Sequence, residues 1–242
     1  MTSLLNMLYP GGAPRKTRAA RGEVVYRQGE PSGLLYRADT GLIRLFQVTP
    51  RGRTVTLRHV LPGDYFGEDS LTQPLQSQSQ QPQAHQPQQK GGYHLCSAEA
   101  LTPASLLVYD PGVLSERDLI ELSRSMSEQL RRAMMHEVHL QSGDLKHRVV
   151  RYLLELSDTP LGAEDTENRL YVRATHELLA EGSGSTRESV SKVVTDLRDA
   201  GLIETGYRHI TLLDLAALQS LAGLDLLAET DVVNLRLRSP GL

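Results

Sequence analysis

The sequence predicts an α+β protein with a strand-rich N-terminal half and a helical C-terminal half, joined by one long helix. Three observations support this interpretation. From Gly22 to Asp69, short apolar segments alternate with glycine turns. From Leu114 onward, the apolar residues recur at helical spacing. In the last third of the chain, two short helices flank a glycine-containing turn, which is the pattern of a helix-turn-helix.

Length and composition indicate a globular protein of two domains. The chain has 242 residues, of which 39% are hydrophobic and 23% charged. It contains neither a transmembrane-length apolar run nor a basic-then-apolar signal pattern, so we expect a cytoplasmic protein. The single cysteine, Cys96, excludes an internal disulfide framework and a cysteine-bound iron–sulfur cluster. A net charge of -3 does not suit a protein that coats nucleic acid by charge alone, but a specific binder needs only a local positive face.

Residues 1–113 are assigned to an antiparallel β-roll or sandwich. The first 20 residues are polar and basic, and we interpret them as a solvated lead-in, with contact to DNA or a partner as the alternative. Short strands at regular spacing, with a hairpin turn at Pro50-Arg51-Gly52, are typical of such a fold. The predicted strands include Val24–Tyr26, Leu34–Tyr36, Leu42–Phe46 and Thr54–Leu57. Residues 73–90 form a glutamine/proline-rich insertion with too little apolar surface to offset the entropy of ordering, so we expect it to be floppy.

Residues 114–141 are predicted to form a long helix that pairs with a second copy of the chain. Apolar residues recur every seven positions at Leu119, Met126, Ala133 and Leu140, which is the spacing of a helical seam. Leu122, Leu130 and Met134 fill out the same face. Alternatively, the stripe packs on the β-roll, and both arrangements can hold together.

Residues 142–212 are assigned to a C-terminal domain built around Thr175 to Asp199. A helix over Leu145–Leu156, a polar loop over Thr159–Asn168 and a strand over Leu170–Val172 precede that segment. A hairpin over Gly206–Leu212 follows it. Residues 213–242 extend beyond the hairpin, and leucines at helical spacing predict a further amphipathic helix there.

The second helix of the helix-turn-helix carries a buried stripe and a polar face. The stripe is Val190, Val193, Val194 and Leu197. Its cap is either Ser185, in a capping box with Glu188, or Thr186. The polar start of such a helix is the part that enters a DNA major groove.

The sequence resembles the CRP/FNR family at both ends. S-T-R-E-S-V-S-K, followed by L-R-D-A-G-L-I and R-H-I-T-L, resembles its recognition helix and wing. R-G-E-V-V-Y-R-Q-G-E and L-P-G-D-Y-F-G-E resemble its cyclic-nucleotide-binding β-roll. The family consists of homodimeric transcription regulators, and the resemblance covers about residues 21–212 apart from the insertion. It implies a homodimer that binds double-stranded DNA at a TGTGA-like pseudo-palindrome and contacts RNA polymerase, as an activator.

The resemblance assigns DNA-binding roles to individual residues. Arg187, Glu188 and Lys192 are the predicted base readers, because arginine and lysine donate to guanine and glutamate accepts from cytosine. Lys192 replaces the family's second arginine, and a point charge is less selective than a guanidinium fork. The candidate phosphate contacts are Thr175, Ser185, Thr186 and Ser189. Gly182-Ser183 stands where the family has apolar residues, which predicts a less tightly packed corner.

The effector pocket departs from the family pattern. The resemblance places Gly67 in the phosphate-binding cassette and assigns Glu68 to the ribose 2′-hydroxyl. The family's phosphate-binding Arg-Ser pair falls at His94 and Leu95, and we interpret His94 as a strand residue without a ligand. The family's adenine-binding Thr-Ser pair falls at Ala133 and Met134. We therefore predict a regulator that does not need cyclic AMP, or whose ligand differs. A cyclic AMP-dependent regulator, and a nucleotide sensor acting through protein contacts, remain alternatives.

We do not expect an enzyme or a metal protein. His136 and His139 are three apart, whereas a helical zinc protease needs histidines at i and i+4. Gly182-Ser183-Gly184-Ser185 lacks the preceding strand of a nucleophile elbow and the lysine of a phosphate-binding loop.

Overall fold

The computed structural model describes residues 13–71 and 92–223. The predicted insertion at 73–90 and the end of the C-terminal extension, residues 224–242, lie outside the described residues. The chain divides into two compact units, residues 1–133 and 134–242, which are treated one at a time below. Within the described ranges, no helix has the length and apolarity needed to cross a membrane.

Two four-stranded antiparallel sheets form the N-terminal unit, so the predicted β-roll is confirmed. One sheet has the strand order β1-β8-β3-β6 and the other β2-β7-β4-β5. Residues 68–71 and 111–113 form single turns of 3-10 helix. The strands are β1 (Arg15–Ala19), β2 (Val24–Tyr26), β3 (Leu35–Thr40), β4 (Ile43–Val48), β5 (Thr54–Val60), β6 (Tyr65–Phe66), β7 (Ser97–Ala100) and β8 (Ala104–Tyr109).

The core lies between the inner faces of these sheets. Small residues such as Ala98 and Ala104 are buried there beside the rings of Tyr26 and Phe66. Gly41 marks a corner where only glycine fits, because its φ is +85° and a Cβ would lie 2.5 Å from the Pro103 carbonyl oxygen. The glycine therefore allows the backbone at Gly41 to approach the backbone at Pro103 closely.

The first strand corrects one prediction. Arg15–Ala19 was interpreted as part of a solvated lead-in, but it forms β1 and pairs with β8, with Thr17 opposite Leu106. Only Ala19 of this strand is buried, and Lys16 makes an exposed ion pair with Asp39 at 2.8 Å. A strand held mainly by backbone pairing leaves no apolar alternation in the sequence, which explains the miss.

The long helix α1 spans Glu116–Gln141, within the predicted range. It begins at a reciprocal cap, in which Asp118 N–H donates to Ser115 Oγ and Ser115 N–H donates to the Asp118 carboxylate. Leu122 is buried in a cluster with Leu35 and Tyr65, and Met126 packs against that cluster. The N-terminal part of α1 is thus anchored to the β-roll.

The predicted seam of α1 mixes two helix faces. Leu119 is exposed, whereas Met126 packs on the roll and Leu140 is partly buried. A straight helix drifts about 20° per seven residues, so the three steps from Leu119 to Leu140 rotate the series by about 60°, from the exposed side toward the side that packs on the roll. Pairing with a second copy stays a prediction, and the exposed apolar residues that share one face are Leu119, Ile120, Leu130, Met134 and Val138.

The C-terminal unit contains four helices after α1 and a small antiparallel sheet of order β11-β12-β10-β9 in its described part. The predicted polar loop over Thr159–Asn168 contains a three-residue strand that the sequence analysis missed. The elements are α2 (Leu145–Ser157), β9 (Gly162–Glu164), β10 (Leu170–Val172), α3 (His176–Gly182), α4 (Arg187–Asp199), β11 (Ile203–Gly206), β12 (His209–Leu212) and α5 (Leu215–Ala222).

The corner between α3 and α4 is tightly packed, which overturns the expectation of a loose corner. Gly182 and Ser183 are both buried. A Cβ at Gly182 would lie 2.0 Å from the Tyr152 ring, so the ring occupies the volume that a side chain at position 182 would need. Tyr152 itself is buried on α2. The tyrosine therefore supplies the apolar surface that the family places on α3.

We predict that Gly182→Ala lowers the free energy of unfolding by about 1–3 kcal/mol, because the added methyl group would overlap the buried ring of Tyr152 and force it to shift. Chemical denaturation measures the change. In a Tyr152→Leu background the same substitution should cost much less, since the space is then open. Equal costs in both backgrounds would contradict this account of the corner.

Candidate DNA interface and effector site

Threonine hydroxyls cap both helices of the helix-turn-helix. Thr175 accepts a hydrogen bond from the Leu178 N–H at 3.2 Å, and Thr186 accepts one from the Ser189 N–H at 3.3 Å. Thr186 is thus the cap of α4, and the alternative with Ser185 is wrong. Gly184, at φ +68°, makes the turn between the helices.

The capping hydrogen bonds determine which of the candidate hydroxyl groups can still donate a hydrogen bond to a phosphate oxygen. The Thr186 hydroxyl donates to Ser189 Oγ at 3.1 Å, so its proton is engaged in the protein. Ser189 receives that bond and can still donate its own proton outward. Thr175 accepts the capping bond and keeps its proton in the same way. Ser185 is partly buried just before the cap.

The three predicted base readers project from α4 into solvent. Arg187 and Glu188 lie in its first turn and Lys192 lies further along, and all three are exposed. The opposite side is the predicted stripe from Val190 to Leu197, every member of which is buried. In the part of the chain that the structure describes, none of the three readers makes an ion pair, so their donors and acceptors face outward.

The start of α4 borders a concave surface of about 380 Å³ that sequence reasoning did not identify. The surface lies between Arg187, the first residues of α3 and the hairpin of β11 and β12. Its polar lining consists of Thr175, His176, Glu177, Arg187, Thr205, Arg208 and His209. The two arginines offer donors to a phosphate backbone, whereas the Glu177 carboxylate opposes an anion at its own part of the surface.

Arg208 occupies an unusual position at the tip of the hairpin. Its φ is +60°, in the left-handed region that favours glycine or asparagine. The neighbouring Gly206 has no room for a side chain, since a Cβ would lie 2.1 Å from the His209 ring. The side chain of Arg208 is exposed at this turn. Sequence analysis identified the R-H-I-T-L motif but did not predict the left-handed backbone conformation of Arg208.

In the segment that would bind an effector, at Gly67 and Glu68, the glutamate is engaged in an ion pair. Gly67, at φ +79°, lets the chain turn beside Tyr36, and Glu68 begins the 3-10 turn after it. The Glu68 carboxylate accepts a charge-assisted hydrogen bond from Arg58 of β5 at 2.5 Å. Sequence analysis missed Arg58, because the predicted strand ended at Leu57 whereas β5 continues to Val60.

His94 lies outside any strand, which corrects the interpretation of it as a strand residue. Its side chain is 3% exposed, and its ring stacks on Tyr26 with centroids 3.6 Å apart. Burial lowers the pKa of His94, although Asp69, with a carboxylate oxygen 3.5 Å from Nδ1, acts in the opposite direction. The imidazole is therefore neutral near pH 7 and does not replace a phosphate-binding guanidinium.

The remaining pocket positions also lack the family's groups. Ala133 is partly buried and Met134 is exposed, and neither side chain can donate a hydrogen bond to adenine. The residues at these positions do not fit a cyclic nucleotide bound in the family's manner. Gly67 and Glu68 are present, but Glu68 is already paired.

Comparisons with known proteins agree with this architecture. Residues 16–84 match the family model of the cyclic nucleotide-binding domain, and residues 147–221 match that of the Crp-like helix-turn-helix domain. Nucleotide binding is thus within the capacity of the fold class, although no ligand is established for this chain.

Three similar proteins are transcriptional regulators of Thermus thermophilus. The regulator LdrP is 45% identical over 206 residues, which cover 85% of this chain and 96% of the relative. The regulator SdrP is 37% identical and covers 83% and 91%. The crystal structure of TTHB099, a CRP-family regulator of the same species, has 44% identity and a TM-score of 0.76, covering 86% of this chain and 96% of the other.

The fold and the helix-turn-helix therefore define a DNA-binding transcription regulator. The chain belongs to the CRP/FNR family. Its relatives are regulators rather than enzymes.

We predict that Arg187→Ala costs about 1–3 kcal/mol of specific DNA binding and relaxes selectivity at one base position, because a bidentate contact to guanine is lost. Binding titrations on duplexes varied at each position measure this. Arg198→Ala is the matched control, since Arg198 lies on the same helix but pairs with Asp199 at its far end. Equal losses in both variants would argue against base reading by Arg187.

We predict that His94→Asn makes folding stability less sensitive to acid. The folded-state pKa of His94 is lowered, so its stabilisation is present above the unfolded-state pKa of about 6.5 and is lost as pH falls through the folded-state value. Unfolding measured between about pH 7.5 and pH 5 should show a shallower decline in the variant. His139, whose pKa burial also lowers, leaves a residual slope. Parallel profiles would be inconsistent with a buried neutral His94.

Proposed function

We propose that two copies of the chain bind a TGTGA-like pseudo-palindrome, each with one α4 in a major groove. The observation that carries this proposal is the outward set of Arg187, Glu188 and Lys192 above a fully buried stripe. The arginine and lysine offer donors to guanine, and the glutamate offers an acceptor to cytosine. Two such helices one duplex turn apart match the symmetry of a palindrome.

The regulator acts as an activator, and it does so without cyclic AMP. The relation to DNA-binding regulators supports contact with RNA polymerase and action in the cytoplasm, where both partners lie. The exposed apolar face of α1, including Leu130 and Met134, supports pairing with a second copy. Independence from cyclic AMP rests on neutral His94, on paired Glu68 and on the apolar residues at 133 and 134.

Fluorescence anisotropy on a labelled palindromic TGTGA duplex tests the proposal, with scrambled DNA as the control and with cyclic AMP present or absent. We expect tight, sequence-selective binding without nucleotide. Binding only with cyclic AMP would support the cyclic AMP-dependent alternative. Equal binding to scrambled DNA would remove the TGTGA assignment. The absence of salt-dependent DNA binding would favour a sensor that acts through protein contacts.

The proposal extends to the backbone contacts of the DNA site. Arg208 and Arg187 line the same concave surface, one from the hairpin and one from α4. A phosphate lying in that surface would meet both guanidinium groups and the remaining hydroxyl proton of Thr175. Arg208 thus contributes to DNA affinity and to the position of the protein on the duplex, whereas Arg187 also contributes to the choice of DNA sequence.

We predict that Arg208→Gly weakens binding to specific and scrambled DNA by the same factor and reduces the salt slope by about one. Stability should change by less than about 1 kcal/mol, because relief of the left-handed strain offsets the larger unfolded-state entropy of glycine. Arg208→Lys keeps the charge and should keep most of the slope. Loss of selectivity, rather than of affinity, would show that Arg208 reads bases.

A further inference from the structure

The segment from Asp64 to Glu68 is held at both ends by side chains from other elements. At its end, the Glu68 carboxylate pairs with Arg58, whose side chain is only 22% exposed. At its start, the Asp64 carboxylate pairs with Arg132 of α1. Both ion pairs lie within the N-terminal unit. One five-residue segment therefore connects the cassette of the β-roll with the long helix.

The backbone of Tyr65, in the middle of this segment, is bonded directly to α1. Its N–H donates to Ser125 Oγ at 3.0 Å, and its carbonyl oxygen accepts from Gln129 Nε2 at 2.8 Å. Gln129 also donates to Ser125 at 2.9 Å, and both side chains are buried. Because a buried amide group is costly to leave unpaired, β6 and this part of α1 are expected to move as one body.

Among the described residues around Glu68 and His94, the charges do not favour a cyclic phosphate. The positive charge of Arg58 is already matched by Glu68 at 2.5 Å. The ring of His94 is buried with a carboxylate oxygen of Asp69 3.5 Å from Nδ1, and the charges of Glu30 and Glu68 act on the pKa of His94 in the same direction as Asp69. Among these described residues, an incoming phosphate would thus meet acidic groups and no unmatched cation.

We propose that Arg58 is an internal substitute for an effector: it takes the ribose-binding Glu68 as its partner and fixes the cassette, and through Tyr65 the helix α1, without a nucleotide. Arg58 is a positioning residue, since it acts through its ion pair with Glu68. This inference rests on the proposed function, because its readout is DNA binding. α1 continues to Gln141, close in sequence to the start of α2 at Leu145, which gives the cassette a continuous covalent route to the DNA-binding unit.

Exchanging the charges of Arg58 and Glu68 in the full-length protein tests whether this ion pair takes the place of an effector. Arg58→Glu and Glu68→Arg, made singly, should each weaken binding to the palindromic duplex, by about 5- to 150-fold if the coupling is of ordinary allosteric size. The double variant restores an ion pair of opposite polarity and should recover most of the affinity. Backbone amides from Gly67 to Ser70 should exchange hydrogen faster in the single variants and slow again in the double one.

Arg44→Glu is the matched control, because Arg44 and Glu99 form a comparable ion pair at 2.8 Å between β4 and β7. Arg44→Glu should leave DNA affinity unchanged even if it lowers stability. If Arg58 acted only by stabilising the fold, Arg44→Glu and Arg58→Glu would instead weaken DNA binding alike. Full DNA affinity in both single variants, with wild-type protein binding normally, would overturn the inference and leave the DNA-binding function intact. Failure of the wild-type protein to bind DNA would instead reject the proposed function.

Calorimetric titration of the wild-type protein with cyclic AMP provides an independent check. We expect no heat of binding, because the ribose-binding carboxylate is occupied and the described residues at the phosphate position offer no free cation. Saturable binding that is abolished by Glu68→Ala would overturn the inference, since it would show that the nucleotide displaces Arg58.

Discussion

The N-terminal unit depends on one buried polar contact, in which Ser125 and Gln129 of α1 satisfy both backbone groups of Tyr65. Strand β6 is only two residues long and lies at the edge of its sheet, so one side of its backbone has no strand partner among the described residues. The helix takes the place of that partner with two side chains. The position of α1, the turn at Gly67 and the pairing of Glu68 all follow from where this short strand is held.

Patterns within one element were predictable from sequence. The strand from Leu170 to Val172, the buried stripe of α4 and the glycine turns of the roll follow from alternation, helical spacing and left-handed backbone at glycine. The same patterns, with the resemblance to CRP/FNR proteins, located the exposed residues at the start of α4. These features are local, and each is recorded within about ten to fifteen consecutive residues.

Features that join distant segments were not predictable from sequence. The Arg58–Glu68 pair needs β5 and the cassette side by side, and a strand pattern does not show which charged residue has a partner. The role proposed for Arg208 depends on a backbone angle that its residue type disfavours. The spacing of apolar residues on α1 left open whether the stripe packs on the roll or pairs with a second copy, because apolar residues occur on more than one side of the helix. In each case, the deciding information lies in three-dimensional proximity rather than in spacing along the chain.

The filled corner at Gly182 also constrains how this domain can be redesigned. A side chain at position 182 and the ring of Tyr152 on α2 would occupy the same volume, because a Cβ at Gly182 would lie 2.0 Å from that ring. A larger residue on α3 therefore requires a smaller residue at position 152. The two positions, 30 residues apart in the chain, form a single packing unit that a designer has to change together.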